Sequence, residues 1–477
     1  MAIIICTISF RFLFSSSFHI LSLLCVLNKV YAHEGRKMAE TGHHHTVTVG
    51  SLIPSSVCSP STIGLDEKST LKVTHKHGPC SPHKQDKANI PSHEDILRLD
   101  QARVDSIQSK MSNSNAKAKD SVTLPAQSGS IIGSANYIVT VGMGTPKKDL
   151  TLVFDTGSDL TWIQCQPCVV ACYPQVDPIF NPSKSTTYKN ISCNSDRCKS
   201  IASGTGNEPG CSGTTCVYGI QYGDGSFTVG FLAKDTITLS SDKLREIEFG
   251  CGENNQGLFV GQAGLMGLGP DKLSIVSQTA SKYGKIFSYC LPSSSSSAGR
   301  LTFGPKSSKS VKYTRLSANP KTKPYYGLDL RGIYVGGKKL SISPSVFTTS
   351  GTIIDSGTVI TRLPPAAYSA LKAAFKKKLS QYPRAPALSI LDTCYDFSKY
   401  RSVSVPKISF FFRGSVQVRI PAIGLFVASN TSQVCLAIAG NSSPTDLGIY
   451  GNTQQLTLQL VYDVAGGKVG FASGGCN

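Results

Sequence analysis

The chain has 477 residues and a mass of 50.8 kDa, is 40% hydrophobic and 16% charged, and carries a formal charge of +19. That length calls for two core-bearing units, and the balance of apolar over charged residues excludes wholesale disorder. No Gly-X-Y or heptad period is present, which excludes collagen and coiled coil, and no apolar run long enough to span a bilayer follows the N-terminal stretch.

Residues 1–32 hold an early cation, Arg11, a short apolar core from His19 to Leu27, and the small residue Ala32 after Val30-Tyr31. This pattern predicts a cleaved secretory signal peptide, the alternatives being an uncleaved anchor or an organelle transit peptide. From His33 to about Ser130 the composition turns polar and holds eight of the nine histidines. One helix is expected there, with Ser92 and Asp95 as a capping box and Ile96, Leu99, Val104, Ile107 and Met111 as its apolar stripe. The segment 33–130 reads as a propeptide, or alternatively as a disordered extension. Charged below about pH 6.5 and repelled by a cationic body, its histidines would make an acid trigger, or else a solvated spacer.

No histidine follows His93, so His-dependent nucleophilic catalysis and His-ligated metal sites are excluded from the rest of the chain. From Ile131 onward, short β-branched or alternating runs are cut by Gly, Pro, Ser and Asn clusters, which predicts a mostly-β body. One helix is expected near Pro365 to Gln381, with Tyr368, Leu371, Phe375 and Leu379 on one face.

Twelve cysteines lie in this body: Cys165, Cys168, Cys172, Cys193, Cys198, Cys211, Cys216, Cys251, Cys290, Cys394, Cys435 and Cys476. An even set behind a secretory signal argues for up to six disulfides, dense over 165–216; a zinc ribbon is the rival reading. Spacing alone leaves the pairing open.

Val153-Phe154-Asp155-Thr156-Gly157-Ser158 and Ile353-Ile354-Asp355-Ser356-Gly357-Thr358 repeat one pattern 200 residues apart: two apolar residues, Asp, hydroxyl, Gly, hydroxyl. Leu265-Met266-Gly267 follows the first copy and Ile449-Tyr450-Gly451 the second, each suited to pack beneath its own Asp loop. One copy would be weak evidence, since a buried strand ending in an Asx turn looks similar.

On these motifs the chain resembles the pepsin-type aspartic proteases, in their nepenthesin-like plant branch, over about Asn136 to Ala472. Gln164-Cys165-Gln166-Pro167-Cys168, Tyr222-Gly223-Asp224-Gly225-Ser226 and Phe287-Ser288-Tyr289-Cys290 carry the resemblance further, and Val73 to Cys80 is similar to a subgroup described as chloroplast nucleoid DNA-binding proteases. The resemblance implies an all-β, bilobal pepsin-like fold with a few short helices, lobes at 131–325 and 326–477, and six disulfides. It implies an acid-active endopeptidase made as a zymogen, without metal or cofactor. Asp155 and Asp355 would share one proton, one activating a water and the other donating to the scissile carbonyl. Thr156 and Ser356 would brace the two loops, Ser158 and Thr358 would donate to the outer carboxylate oxygens, and Gly157 and Gly357 would let the backbone pass close by. Tyr222, with Gly223, would form a flap over substrate, and Trp162 would donate its indole N–H to Tyr222.

The body from residue 131 carries 34 Lys and Arg against 19 Asp and Glu, a formal +15. The cations are scattered and no nucleic-acid-binding motif accompanies them, so polyanion binding would be weak and salt-dependent. A protease-like binding protein, inhibitor or receptor is the alternative function. Expected partners are peptide substrates and the chain's own propeptide, with the protein a monomer. Asn190 and Asn430 are glycosylation acceptors in a secreted chain, and Asn441, followed closely by Pro444, is a poorer one. The expected compartment is extracellular, with vacuole or chloroplast as alternatives.

Overall fold

The computed structural model describes residues 42–59, 68–83, 91–113, 137–222, 225–257, 259, 261–305 and 310–473. The expected signal peptide, the boundary near residue 130, Gly223 and Cys476 lie outside these residues. The chain divides into Met1–His44 and His45–Asn477, and the fold is that of the second unit.

The fold is mostly β, built around a 15-stranded sheet with three four-stranded sheets beside it. Lys148–Asp155 ends in six buried residues, the continuous apolar run of a strand covered on both faces. It lies antiparallel to Tyr137–Met143, with Ile138 opposite Val153, and parallel to Gly264–Gly267, with Gly267 opposite Asp155. The second half repeats the arrangement: Thr352–Ile354 runs parallel to Gly448–Tyr450, Ile353 opposite Ile449 and Ile354 opposite Tyr450. Each Asp thus stands at the buried end of a strand, beside the apolar-apolar-Gly element of its own half. Near the end of the chain, Leu458–Asp463 crosses back to pair with Ile286–Cys290, so the large sheet draws strands from both halves.

The segment expected to be a propeptide is woven into this body. Thr70–His75 inserts between Ala298–Phe303 and Tyr137–Met143, with Leu71 opposite Leu301 and Thr74 opposite Ile138. Cys58 and Cys80 form a disulfide beside it, a pair that cysteine spacing left unassigned. The expected helix runs from His93 to Asn113. The Ser92 hydroxyl accepts the Asp95 N–H at 3.1 Å, and the Asp95 carboxylate accepts the Ser92 N–H at 3.3 Å, completing the capping box. Leu97 packs with Val359, Ile360, Leu388 and Leu391, and Val104 and Ile107 pack with Ile353, Leu447 and Ile449. Burying each such side chain contributes about 1.5–3 kcal/mol to docking of the helix.

The second helix spans Pro365–Lys378, three residues shorter than expected. Leu379 is its C-cap, and Pro383 soon after disfavours helical backbone in the residue before it. Among the described residues no helix is long and apolar enough to cross a membrane.

Candidate active site

Asp155 and Asp355 are fully buried, and the two loops that carry them are tied to one another by a reciprocal pair of bonds. The Thr156 N–H donates to Ser356 Oγ at 3.0 Å, and the Ser356 N–H donates to Thr156 Oγ1 at 2.9 Å. Ser158 Oγ donates to Asp155 Oδ2 at 2.8 Å and Thr358 Oγ1 to Asp355 Oδ2 at 2.6 Å. The Gly157 and Gly357 N–H groups donate to the other oxygens, Asp155 Oδ1 at 2.9 Å and Asp355 Oδ1 at 3.0 Å. A Cβ on Gly157 would stand 2.7 Å from Asp355 Oδ1, and one on Gly357 would stand 2.5 Å from Asp155 Oδ1, so a side chain at either position would crowd the opposite carboxylate. The two loops are related atom for atom, as the duplicated motif leads one to expect.

Between the carboxylates stands a residue that the sequence motifs did not single out. Arg103, from the helix His93–Asn113, donates through Nη2 to Asp155 Oδ1 at 2.8 Å and to Asp355 Oδ1 at 3.0 Å. Its Nε donates to Asp355 Oδ2 at 3.0 Å. Burial pushes both carboxyls upward, and the guanidinium pulls both down; the net direction is below the ordinary carboxylate range for Asp155 and above it for Asp355. Two carboxyls coupled this closely titrate as a pair. Three residues earlier, Asp100 is buried against the second half of the chain, and Gln108 exchanges two hydrogen bonds with the Leu447 backbone at 2.9 and 2.7 Å. The sequence does hold a signal for Asp100 and Arg103: two charges three residues apart, flanking the apolar stripe of one helix.

Tyr222 sits at the turn joining Thr215–Gln221 to Phe227–Leu239, which pair from Val217 opposite Phe231 to Gln221 opposite Phe227. Trp162 Nε1 donates to the Tyr222 hydroxyl at 2.8 Å. Phe259, also missed from sequence, lies edge-on to both rings, 4.9 Å from Trp162 and 5.3 Å from Tyr222. A cleft of about 840 Å³ remains between these residues, Asp155, Tyr325 and the helix. Asp159, beneath the first loop, is buried and accepts the Asp271 N–H at 2.8 Å; burial pushes it up to about 7.

The cysteines pair as Cys165–Cys251, Cys168–Cys172, Cys193–Cys211, Cys198–Cys216 and Cys394–Cys435. Cys290 is disulfide-bonded as well. These bonds replace the zinc-ribbon reading, since the thiolates it needs are consumed. Asn190 and Asn430 are exposed, whereas the Asn441 amide donates to the Asp446 and Leu447 carbonyls.

Two family models, described as xylanase inhibitor N-terminal and C-terminal, match residues 137–305 and 325–473. An aspartyl protease family protein of Arabidopsis thaliana is 55% identical over 467 residues, covering 96% of this chain and 98% of the relative. The chain belongs to the plant pepsin-type aspartic proteases. The protease is also 52% identical to the aspartyl protease AED1 of Arabidopsis thaliana, over 95% of this chain and 97% of that one. Aspartic proteinase nepenthesin-2 of Nepenthes gracilis is 37% identical, over 72% of this chain and 78% of the relative. In fold, the protease is similar to the crystal structure of basic 7S globulin from soybean, with a TM-score of 0.56 over 70% of this chain and 91% of the other at 20% identity. It is an aspartic endopeptidase, and its substrates are peptides.

Proposed function

We propose that Asp155 and Asp355 are the catalytic pair of this endopeptidase, and that residues 33–130 are a prosegment holding it latent until acid releases it. The observation that carries this reading is the Arg103 guanidinium, bonded at once to both carboxylates. It fills the position a hydrolytic water would need and neutralises the charge that would activate that water. With Arg103 withdrawn, the pair is free to share one proton. One carboxylate takes a proton from the water as it attacks the scissile carbonyl, and the other carboxyl donates to the carbonyl oxygen. Two carboxyls sharing one proton is the general pattern of aspartic proteases, assigned in this chain to these two residues. Tyr222 and Trp162 close over substrate from the flap side.

The pH sign follows from which partner can change charge. Burial favours the neutral form of Arg103, but the two carboxylates outweigh it and strengthen its hold on the proton, so it stays charged. Acid must therefore act on the pair itself. The ion pairing is present above the pair's titration range and is lost as pH falls through it, leaving a buried cation without anions. The leader at 1–32 and the disulfides fit a secreted monomer matured in an oxidising compartment.

The test is acid incubation of the purified full chain beside Asp155→Asn. Wild type is expected to lose the prosegment and begin to hydrolyse protein substrate, and the variant to do neither. A variant as active as wild type would remove Asp155 from the mechanism.

A further inference from the structure

Asp100 makes a second contact that latency does not require. Its side chain is fully buried, one helical turn before Arg103. Asp100 Oδ1 accepts the Val359 N–H at 2.6 Å, and Oδ2 accepts the Ile360 N–H at 3.1 Å and Arg362 Nη2 at 2.9 Å. Arg362 is itself only 1% exposed; its Nη1 donates to the Ile360 carbonyl at 2.9 Å, and its Nε has no partner among the described residues. All three donors come from Val359 to Arg362, directly after Asp355-Ser356-Gly357-Thr358, whereas the helix supplies the anion and one longer contact, Gln101 Oε1 accepting from Arg362 Nη2 at 3.4 Å.

We infer that Val359, Ile360 and Arg362 form a subsite of the mature enzyme that takes an acidic side chain of the substrate, and that Asp100 occupies it by mimicry. The inference rests on the prosegment reading. When the helix leaves, a buried guanidinium and two aimed N–H groups remain within seven residues of Asp355, converging on the place a carboxylate has vacated. An unpaired buried cation is costly, and a carboxylate bonded by a guanidinium and two N–H groups is among the strongest neutralising partners available. An amide side chain could satisfy part of this geometry but none of the charge. Leu97, one turn before Asp100, fills an apolar pocket lined by Leu388, Leu391, Ala437 and Ala439, so the acidic position would adjoin an apolar one.

Spacing limits where the acidic residue falls. Three helical residues advance about 4.5 Å, which an extended chain covers in one to two residues. Arg103 marks the scissile bond, so the acidic side chain belongs within about three residues of it, on the side bound by the second half of the chain.

The test uses the full chain after acid activation, with peptides that carry Asp or Asn in turn at each of the three positions on either side of the scissile bond. It is run at about pH 5, where a free aspartate is ionised. Wild type is expected to prefer Asp over Asn at one position by at least about tenfold in kcat/KM, which corresponds to ~1.4 kcal/mol. Arg362→Gln is expected to bring that ratio close to one, and Arg362→Lys to restore part of it. Ratios near one at every position in wild type, or a preference unchanged in Arg362→Gln, overturn the subsite; should Arg362→Gln not fold, the wild-type ratios decide alone. Mass analysis of the active species separates the two readings. Active enzyme that has lost 91–113 but shows no preference defeats the subsite alone, whereas active enzyme retaining 91–113 defeats the prosegment reading and the subsite with it.

Discussion

Replacing Arg103 by Met should uncouple latency from pH while leaving the fold intact. The substitution keeps a long apolar stem against the cleft and removes three charge-assisted bonds to two fully buried carboxylates. Removing one partner of a buried ion pair costs about 3–5 kcal/mol. The Arg103 side chain is 15% exposed, which argues for the lower figure. At a factor of ten per 1.4 kcal/mol, ~3 kcal/mol raises the open fraction of the unprocessed chain about 100-fold. Leu97, Val104, Ile107, Asp100 and Gln108 still hold the helix, so the variant remains docked most of the time. The assay is the initial rate of hydrolysis of a quenched peptide by the full chain at about pH 6, read before any processed product is visible. Arg103→Lys should fall between the two, since an ammonium keeps the charge and loses the planar fork. An Arg103→Met chain as silent as wild type, with the same thermal midpoint, would refute the idea that this ion pair governs latency.

Tyr222→Phe keeps the ring against Phe259 but leaves the buried Trp162 N–H without its acceptor, so kcat/KM should fall by roughly 5–30-fold, as expected for 1–2 kcal/mol. Thr156→Val and Ser356→Ala each strand a buried backbone N–H and should each cost ~1–3 kcal/mol in urea unfolding, with a double variant that is not additive because the bonds share two loops. Asp159 titrates at about 7, well above the ordinary carboxylate range, so its protonated form favours the fold; that contribution is complete below about pH 4 and is lost as pH rises through about 7. Asp159→Asn should therefore raise the thermal midpoint near pH 8 and leave it unchanged near pH 4, and equal shifts at both would contradict the assignment.

The duplicated Asp-hydroxyl-Gly-hydroxyl motif made the paired loops legible because their geometry is local: each loop bonds its own carboxylate within three residues. Tyr222 and Trp162 were legible through resemblance, although their bond spans 60 residues of sequence. The roles of Arg103 and Asp100 were not. They depend on where a whole helix docks, with partners 252 and 262 residues away, and helical periodicity reports which face is apolar without saying what it covers. The disulfides were foreseeable as a set and not as pairs, because six cysteines within 165–211 offer many connectivities, while Cys165 meets Cys251 only because the strand before it, Trp162–Gln164, pairs with the strand that carries Cys251.

The histidines of the proposed prosegment stand in unlike surroundings, and this bears on how acid would open the molecule. His75 ends the strand inserted in the central sheet, with Tyr137 5.6 Å away and His77 5.8 Å away. Burial, then the charges of Lys76 and His93, push it down to about 3. A base whose folded pKa is depressed stabilises the fold above its ordinary value and loses that contribution as pH falls from about 6.5 towards 3, so protonating His75 loosens the strand. His83 Nε2 lies 3.5 Å from Asp177, whose carboxyl is raised by burial but brought below its usual range by His83 and by the Thr151 N–H. Uniform repulsion between a charged segment and a +15 body would draw on the histidines alike, whereas the burial of His75 assigns the loss of stability to one ring in the central sheet. His75→Gln should thus lower the pH at which the prosegment is released; a release pH left unchanged would return the weight to bulk repulsion.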